Sequence, residues 1–448
     1  MKVCKFGGTS LADADKIAMV CDIIQADPDR RIVIVSAPGK RNKKDIKVTD
    51  LLITCAEAKL AGEPANDELK AVINRFAEIQ AELGLSPEIL KVISDDLKKR
   101  LASDTGHKAR FMDTMKAGGE DNCAKLMAAE LKRRGVDARY VNPRDAGLLL
   151  SDEYGNAQIL PESYKNLAAL GRSKGVSVFP GFFGYTLDGS VVTFPRGGSD
   201  ITGSILAAAV KADLYENFTD VDSVFAADPA IVPNAAPIKE LSYREMRELS
   251  YAGFNVLHDE AIVPAVRAGI PICVKNTMKP DAPGTRIVPE RDNVPGNVAG
   301  IASSEGFCTL YASKYLMNRE IGFGRKLLQI FEEEILSYEH MPSGIDNLSI
   351  ILREDSFDSQ VEKHVLQRIK NELGTDSIEV ERGLALVMIV GEGMRHTLGV
   401  AAKATKALSD AGVNIEMMNQ GSSEISMMFG VKAEDRKKAV QSLYHAFF

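Results

Sequence analysis

Lys5 stands inside a short apolar run, Val3-Cys4-Lys5-Phe6, that ends in Gly7-Gly8-Thr9-Ser10. A glycine pair lets the chain turn where a Cβ would forbid it, and a helix start beyond it offers free backbone N–H groups. With the ammonium of Lys5 beside them, these groups suit the oxygens of a phosphate chain. The spacing is not that of the G-x-x-x-x-G-K-[ST] loop. A second set follows at Arg196-Gly197-Gly198-Ser199-Asp200. Its guanidinium is a planar fork for a carboxylate, and Asp200 can accept from an ammonium or orient a lysine. A third set is Thr219-Asp220-Val221-Asp222-Ser223-Val224-Phe225, with Asp228-Pro229 after it. Its hydroxyl and carboxylates suit ribose or adenine edges, and Phe225 suits the face of a base. Taken singly, the three are a structural turn, a helix cap and an Asp-rich turn. Taken together with Lys5, they describe a nucleotide site with a second anionic ligand beside it.

The elements that must position these groups alternate between strand and helix up to about residue 280. Arg31 to Ser36, Val178-Phe179 and Leu214 to Phe218 read as strands of a mainly parallel sheet. Thr9 or Ser10 is expected to cap a helix from Leu11 to about Ala26, whose Ile17, Val20, Ile23 and Ile24 form an apolar face. Residues 48 to 102 read as consecutive helices, an excursion expected to form a lid or a wall of a substrate cleft. Asp188-Gly189 predicts a hairpin between Phe182–Tyr185 and Val191–Phe194. Pro, Gly and Asp concentrate over 278–297, the expected boundary. Two similar βαββαβ segments follow, one with strands at Phe307–Tyr311, Leu336–Met341 and Leu348–Leu352, the other with strands at Leu384–Val390, Val413–Met418 and Ile425–Val431.

A length of 448 residues predicts about three domains, and a net charge of −7 leaves no basic field for nucleic acid. The six cysteines are widely spaced and form no zinc pattern. No apolar run approaches a membrane span and no signal-peptide core opens the chain, so a cytoplasmic protein is expected.

The motifs, in order, resemble the aspartate kinase branch of the amino acid kinase family: K-F-G-G-T-S, V-S-A-P-G at Ser36, V-T-D-L-L at Thr49, G-E at Glu120, R-G-G-S-D, T-D-V-D-S-V-F, N-T-M-K-P-D-A-P-G-T, and Q-G-S-S-E-I at 420–425. The resemblance implies an α/β amino acid kinase fold, a mainly parallel sheet sandwiched by helices, over 1–280. A linker over 281–297 and two α+β ferredoxin-like ACT domains over 303–381 and 382–448 would follow, with strand 298–302 a candidate to join the second. It implies an enzyme moving the γ-phosphoryl group of ATP to the β-carboxylate of L-aspartate, the first step towards lysine, threonine and methionine. Lys5 and Asp200 would be catalytic, with Asp200 orienting Lys5. Ser36, Thr49, Glu120, Arg196, Gly197, Gly198 and Ser199 would bind substrate, Arg196 at its α-carboxylate and Glu120 at its α-ammonium. Lys5, Phe6, the N–H groups of Gly7 and Gly8, Thr219, Asp220, Phe225, Asn255 and Val256 would bind ATP. Mg²⁺ would be held mainly by phosphates, without a protein ligand cluster. Lysine and/or threonine would act at the ACT pair through Met317, Glu339 and Asp346. Homodimers, or dimers of dimers, would form through the same domains.

The chain departs from that pattern at Ala230, Asn255 and Asp259, where the family commonly has arginine, lysine and proline. The basic loop Lys40-Arg41-Asn42-Lys43-Lys44 is a candidate for a replacement charge, with a solvated loop as the plainer reading, and His258 is expected to be structural. Gly391-Glu392-Gly393 lacks the third glycine of a dinucleotide fingerprint, and the chain is expected to be monofunctional. A non-catalytic amino-acid sensor built on a degenerate kinase domain is the alternative.

Overall fold

The computed structural model describes residues 1–448 except 255, 256, 258, 259, 293–295 and 424, and the side chain of 260. Contacts divide it into two units, one of residues 1–224, 237–246 and 255–291, the other of residues 225–236, 247–254 and 292–448.

The first unit is built on an eight-stranded sheet. Its spatial order is Ala138–Tyr140, Val176–Pro180, Arg30–Val35, Lys2–Phe6, Leu214–Thr219, Ile272–Asn276, Thr285–Val288, Glu240–Ser242. The first six run parallel, and Thr285–Val288 lies antiparallel to Ile272–Asn276. Near-continuous apolar runs such as Arg30–Val35 are what a sheet covered on both faces requires. Thr285–Val288 falls inside the stretch expected as linker and is a sheet strand instead.

Successive helices Val48–Leu60, Asn66–Glu82, Pro87–Leu101 and Lys108–Arg133 form the excursion. The hairpin pairs Phe183–Tyr185 with Val191–Thr193. The first helix differs from expectation. A short 3₁₀ turn covers Gly8–Leu11, and the α-helix Ala14–Gln25 is capped by Asp13, whose carboxylate accepts from Lys16 N at 3.0 Å. Ser10 is unavailable as the cap because its hydroxyl is bonded to Thr277 Oγ1 at 2.7 Å.

The second unit holds one five-stranded sheet, ordered Asn347–Arg353, Gly300–Ser313, Ser377–Val390, Ser426–Lys432, Met417–Asn419. Two fourteen-residue antiparallel strands, Gly300–Ser313 and Ser377–Val390, run through both halves. Their pairing is irregular around Phe307, beside Gly306 at φ 87°. Such a bulge turns the strand, so Ile301 packs with Val387, Ile389 and Phe429 while Leu310 packs with Phe331, Ile350 and Val365. The strand expected over Leu336–Met341 is only an edge contact, with Glu339 N donating to Ile351 O and Ile351 N to His340 O. Pro342 has no N–H with which to continue it.

Candidate active site

Parallel strands gather their carboxyl ends on one edge of a sheet, where open α/β folds bind ligands. In register, Phe6 is beside both Val35 and Phe218, Val35 beside Pro180, and Thr219 beside Asn276. Gly7-Gly8, Ser36 to Gly39, Gly181-Phe182, Thr219 to Asp222 and Asn276 to Lys279 therefore emerge along one rim.

On that rim the Lys5 ammonium is buried against the Asp200 carboxylate, Nζ to Oδ1 at 2.6 Å. Asn217, from the adjoining strand, completes a triangle: its Nδ2 donates to Asp200 Oδ1 at 2.7 Å, and its Oδ1 accepts from Lys5 Nζ at 3.4 Å. A Cβ on Gly7 would sit 3.6 Å from Lys5 Nζ, an ordinary contact distance, so the glycine turn runs directly beside the ammonium. The backbone around it is packed too closely for side chains. A Cβ on Gly8 would lie 2.9 Å from Ala37 O, and one on Gly39 would lie 2.5 Å from the Gly8 carbonyl carbon.

Two expected nucleotide contacts are corrected here. The Gly7 N–H is not free, since it donates to Phe218 O at 3.2 Å. The Phe6 ring is fully buried and stacked on Phe218 at 4.7 Å, so its side chain serves the core. Thr219 and Asp220 do lie at the rim, with Thr219 Oγ1 donating to Asp220 Oδ1 at 3.1 Å. Phe225 is partly buried, packed against the cluster of Ala227, Ile231, Val298 and Phe429. Asn255, Val256, His258 and Asp259 lie outside the described residues. In the basic loop, Arg41 is already held by Asp45 at 2.9 Å and Glu78 at 2.6 Å, which favours the plainer reading for that residue.

The R-G-G-S-D turn opens the helix Gly198–Val210 with Gly197 in the left-handed region at φ 76°. Ser199 is seated against Gly181, where a Cβ would approach Ser199 Cβ to 2.7 Å, and Gly181 N donates to Val35 O at 2.9 Å. Phe182 holds a left-handed φ of 76° beside it, fixed by its N–H to Thr202 Oγ1 at 3.0 Å. A non-glycine residue is strained there, and the surrounding bonds must hold it. Arg196 itself is exposed, and among the described residues no carboxylate pairs with it.

Glu120 comes from the middle of the long helix Lys108–Arg133. Gly119 lets that helix close on the loop after Arg30–Val35, since a Cβ there would lie 2.7 Å from Ala37 Cβ. Ala37 is thus packed between Gly8 and the helix that carries Glu120. The Glu120 side chain is buried, and among the described residues its Oε2 has no partner. Burial lifts its carboxyl to about 8, against the opposing pull of the Ala37 backbone N–H. A buried carboxyl with an unmet oxygen is a receptor for a cationic donor. Ser36 donates its N–H to Phe6 O at 3.2 Å, and Thr49 lies in the first turn of Val48–Leu60, whose Val48 N donates to Pro38 O.

Asn217 was not singled out by sequence reasoning, although Glu216-Asn217 inside an otherwise apolar buried strand was a signal. Arg75 was likewise missed. Its Nη2 donates to Ala12 O at 2.9 Å and Gly39 O at 2.8 Å, clamping the glycine loop from behind.

The expected effector residues do not converge. Met317 is buried in the cluster with Phe323 and Leu327, and Asp346 accepts from Leu316 N at 2.8 Å in the adjoining turn. Glu339 is elsewhere, beside Ile351, bonded to the Tyr251 hydroxyl and 3.5 Å from Arg353 Nε. One backbone N–H and two side chains thus already engage these carboxylates.

Residues 1–276 match the model of the amino acid kinase family, and 387–447 match an ACT domain. The chain is 58% identical over 448 residues to aspartokinase 3 of Bacillus subtilis, covering all of this chain and 99% of that protein. Its structure is similar to the Clostridium acetobutylicum aspartate kinase, with a TM-score of 0.90, 40% identity and full coverage of both chains. It is also similar to Escherichia coli aspartokinase III in complex with aspartate and ADP, with a TM-score of 0.80, 27% identity and full coverage of both. The chain belongs to the amino acid kinase family, in its aspartokinase branch.

Proposed function

We propose that this chain is an aspartate kinase that converts ATP and L-aspartate to ADP and 4-phospho-L-aspartate. The observation that carries this reading is the Lys5–Asp200–Asn217 triangle, a buried ammonium beside the glycine turn at the carboxyl edge of the sheet. An oxygen of the substrate β-carboxylate attacks the γ-phosphorus, and the bond from that phosphorus to the β–γ bridging oxygen breaks, leaving ADP. The nucleophile has a pKa near 4 and is ionised at neutral pH, so no strong base is needed. What the protein must supply is alignment and compensation of charge.

Lys5 would meet the transferring phosphoryl oxygens, with Asp200 and Asn217 holding its ammonium in place. Glu120 would receive the substrate α-ammonium and Arg196 its α-carboxylate, with Ser36, Thr49 and Ser199 beside them. Thr219 and Asp220 would meet the nucleoside. Mg²⁺ would arrive on the nucleotide, held mainly by its phosphates, and would neutralise their charge.

The second unit would regulate turnover, with lysine and/or threonine as effector. Its exposed apolar side chains concentrate over 315–345, with Tyr315 74%, Ile321 98%, Ile335 93% and Ile345 70% exposed. Exposed apolar surface of that kind favours a homodimer through this unit. No described helix is long and apolar enough to cross a membrane, which accords with a cytoplasmic enzyme.

The test is an assay of purified protein with ATP, Mg²⁺ and L-aspartate, trapping the acyl phosphate as hydroxamate. Aspartate-dependent hydroxamate, reduced by lysine or threonine, is the expected result. Folded protein that binds amino acids without turnover would overturn the kinase reading in favour of a sensor.

A further inference from the structure

Helix Lys108–Arg133 carries a second buried carboxylate, Asp113, seven residues before Glu120. Seven residues are two turns, about 10 Å, so the two carboxyls share a helix face. Asp113 is 2% exposed, and its Oδ2 accepts two backbone N–H groups from separate segments: Gly155 at 2.8 Å and Thr193 at 2.8 Å. Its other oxygen is 3.7 Å from Lys116 Nζ. The two segments are also joined directly, Ala157 N donating to Thr193 O at 3.1 Å. Thr193 is the last residue of the strand Val191–Thr193, three residues before Arg196. Between them, Phe194 N is fixed to Phe182 O at 2.9 Å.

One rigid helix therefore holds Glu120 at one point and, through Asp113, the base of the strand that delivers Arg196 at another. We propose that Asp113 is a positioning residue that sets the distance between Glu120 and Arg196, and with it the affinity for an α-amino acid substrate. The inference rests on the proposed function, in which Glu120 and Arg196 grip the two ends of that head group. An anionic acceptor suits the task, since charge-assisted bonds to two N–H groups fix a strand end more firmly than a neutral amide would.

The test is a double-mutant cycle in the full-length chain with Asp113→Asn, Arg196→Ala and the combination, measuring KM for aspartate, KM for ATP and kcat. Asp113→Asn is expected to raise the aspartate KM about tenfold, with kcat and the ATP KM within about twofold. In the Arg196→Ala background the same substitution is expected to change nothing further. Additive effects, or a joint fall in kcat and rise in both KM values, would overturn the proposal in favour of a general structural role. Should Asp113→Asn not fold, amide hydrogen exchange in the unaltered protein decides. Aspartate must slow exchange at Thr193 and Gly155, and unchanged exchange there refutes the coupling. Absence of any aspartate turnover in the unaltered protein would overturn the kinase reading itself, and the Asp113 role with it.

Discussion

At the scale of single residues, the site depends on charges held away from water. Asp200 lies 2.6 Å from Lys5 Nζ and also receives Asn217. Asp200→Asn keeps the shape and removes the charge that fixes the ammonium. It is expected to lower kcat by about 100-fold, the scale of losing one preorganised electrostatic group, while raising the aspartate KM far less. Steady-state kinetics check this, and an unchanged kcat would remove Asp200 from the catalytic set. Glu120 makes a second prediction. Its carboxyl is raised by burial from an ordinary 4.5 to about 8. Between those values the folded protein keeps a proton that the unfolded chain has released. The stability associated with Glu120 is therefore full below about 4.5 and is lost as pH rises towards 8. Thermal unfolding of the ligand-free protein from pH 5 to 8 is expected to show a decline in Tm that Glu120→Gln flattens. Parallel curves would contradict it. An ammonium ligand needs the ionised form, so the aspartate KM is also expected to fall as pH rises across the same range.

At the scale of elements, the turns of the rim touch backbone to backbone. Gly39 lies against Gly8, its N–H donating to Gly8 O at 2.8 Å, while Arg75 holds Gly39 O and Ala12 O. A Cβ at Gly39 would meet the Gly8 carbonyl at 2.5 Å, and neither side is a flexible side chain that can swing aside. Gly39→Ala is expected to separate the two loops, destabilising the protein by about 1–3 kcal/mol and raising the ATP KM. Denaturant unfolding and kinetics together measure this, and an unchanged midpoint would show that the loops are not locked. The glycine motifs were visible in the sequence because glycine at a turn has few alternative explanations. Gly39 as the partner of Gly8 was not, since the two are separated by thirty-one positions and only the parallel register of Lys2–Phe6 with Arg30–Val35 aligns them.

At the scale of the molecule, the second unit is assembled from discontinuous chain. Residues 225–236 and 247–254 belong with 292–448, and Ile231, Val232 and Ala235 share a core with Val387, Phe429 and Leu443. A chain ending after Arg291 would leave those apolar residues without partners. It is expected to aggregate or to lose most aspartate-dependent activity, which size-exclusion chromatography and the hydroxamate assay would reveal. A monodisperse, fully active truncation would show that the two segments fold without the later chain.

By itself the sequence determined the alternating α/β plan and the two later α+β segments, and it supplied the residue types expected at the site. Those features depend on local periodicity, on turn chemistry and on motifs whose order along the chain is informative. Tertiary structure alone decided which groups are committed to the core and which are gathered on the rim. The Phe6 side chain and the Gly7 N–H are expected nucleotide contacts that packing claimed for other work. Asn217, Arg75 and Asp113 are ordinary polar residues in sequence, and each acquires its role from a backbone or side chain distant along the chain. A hydrogen bond needs both partners at about 3 Å, and sequence spacing specifies that distance only within one helix or one strand pair.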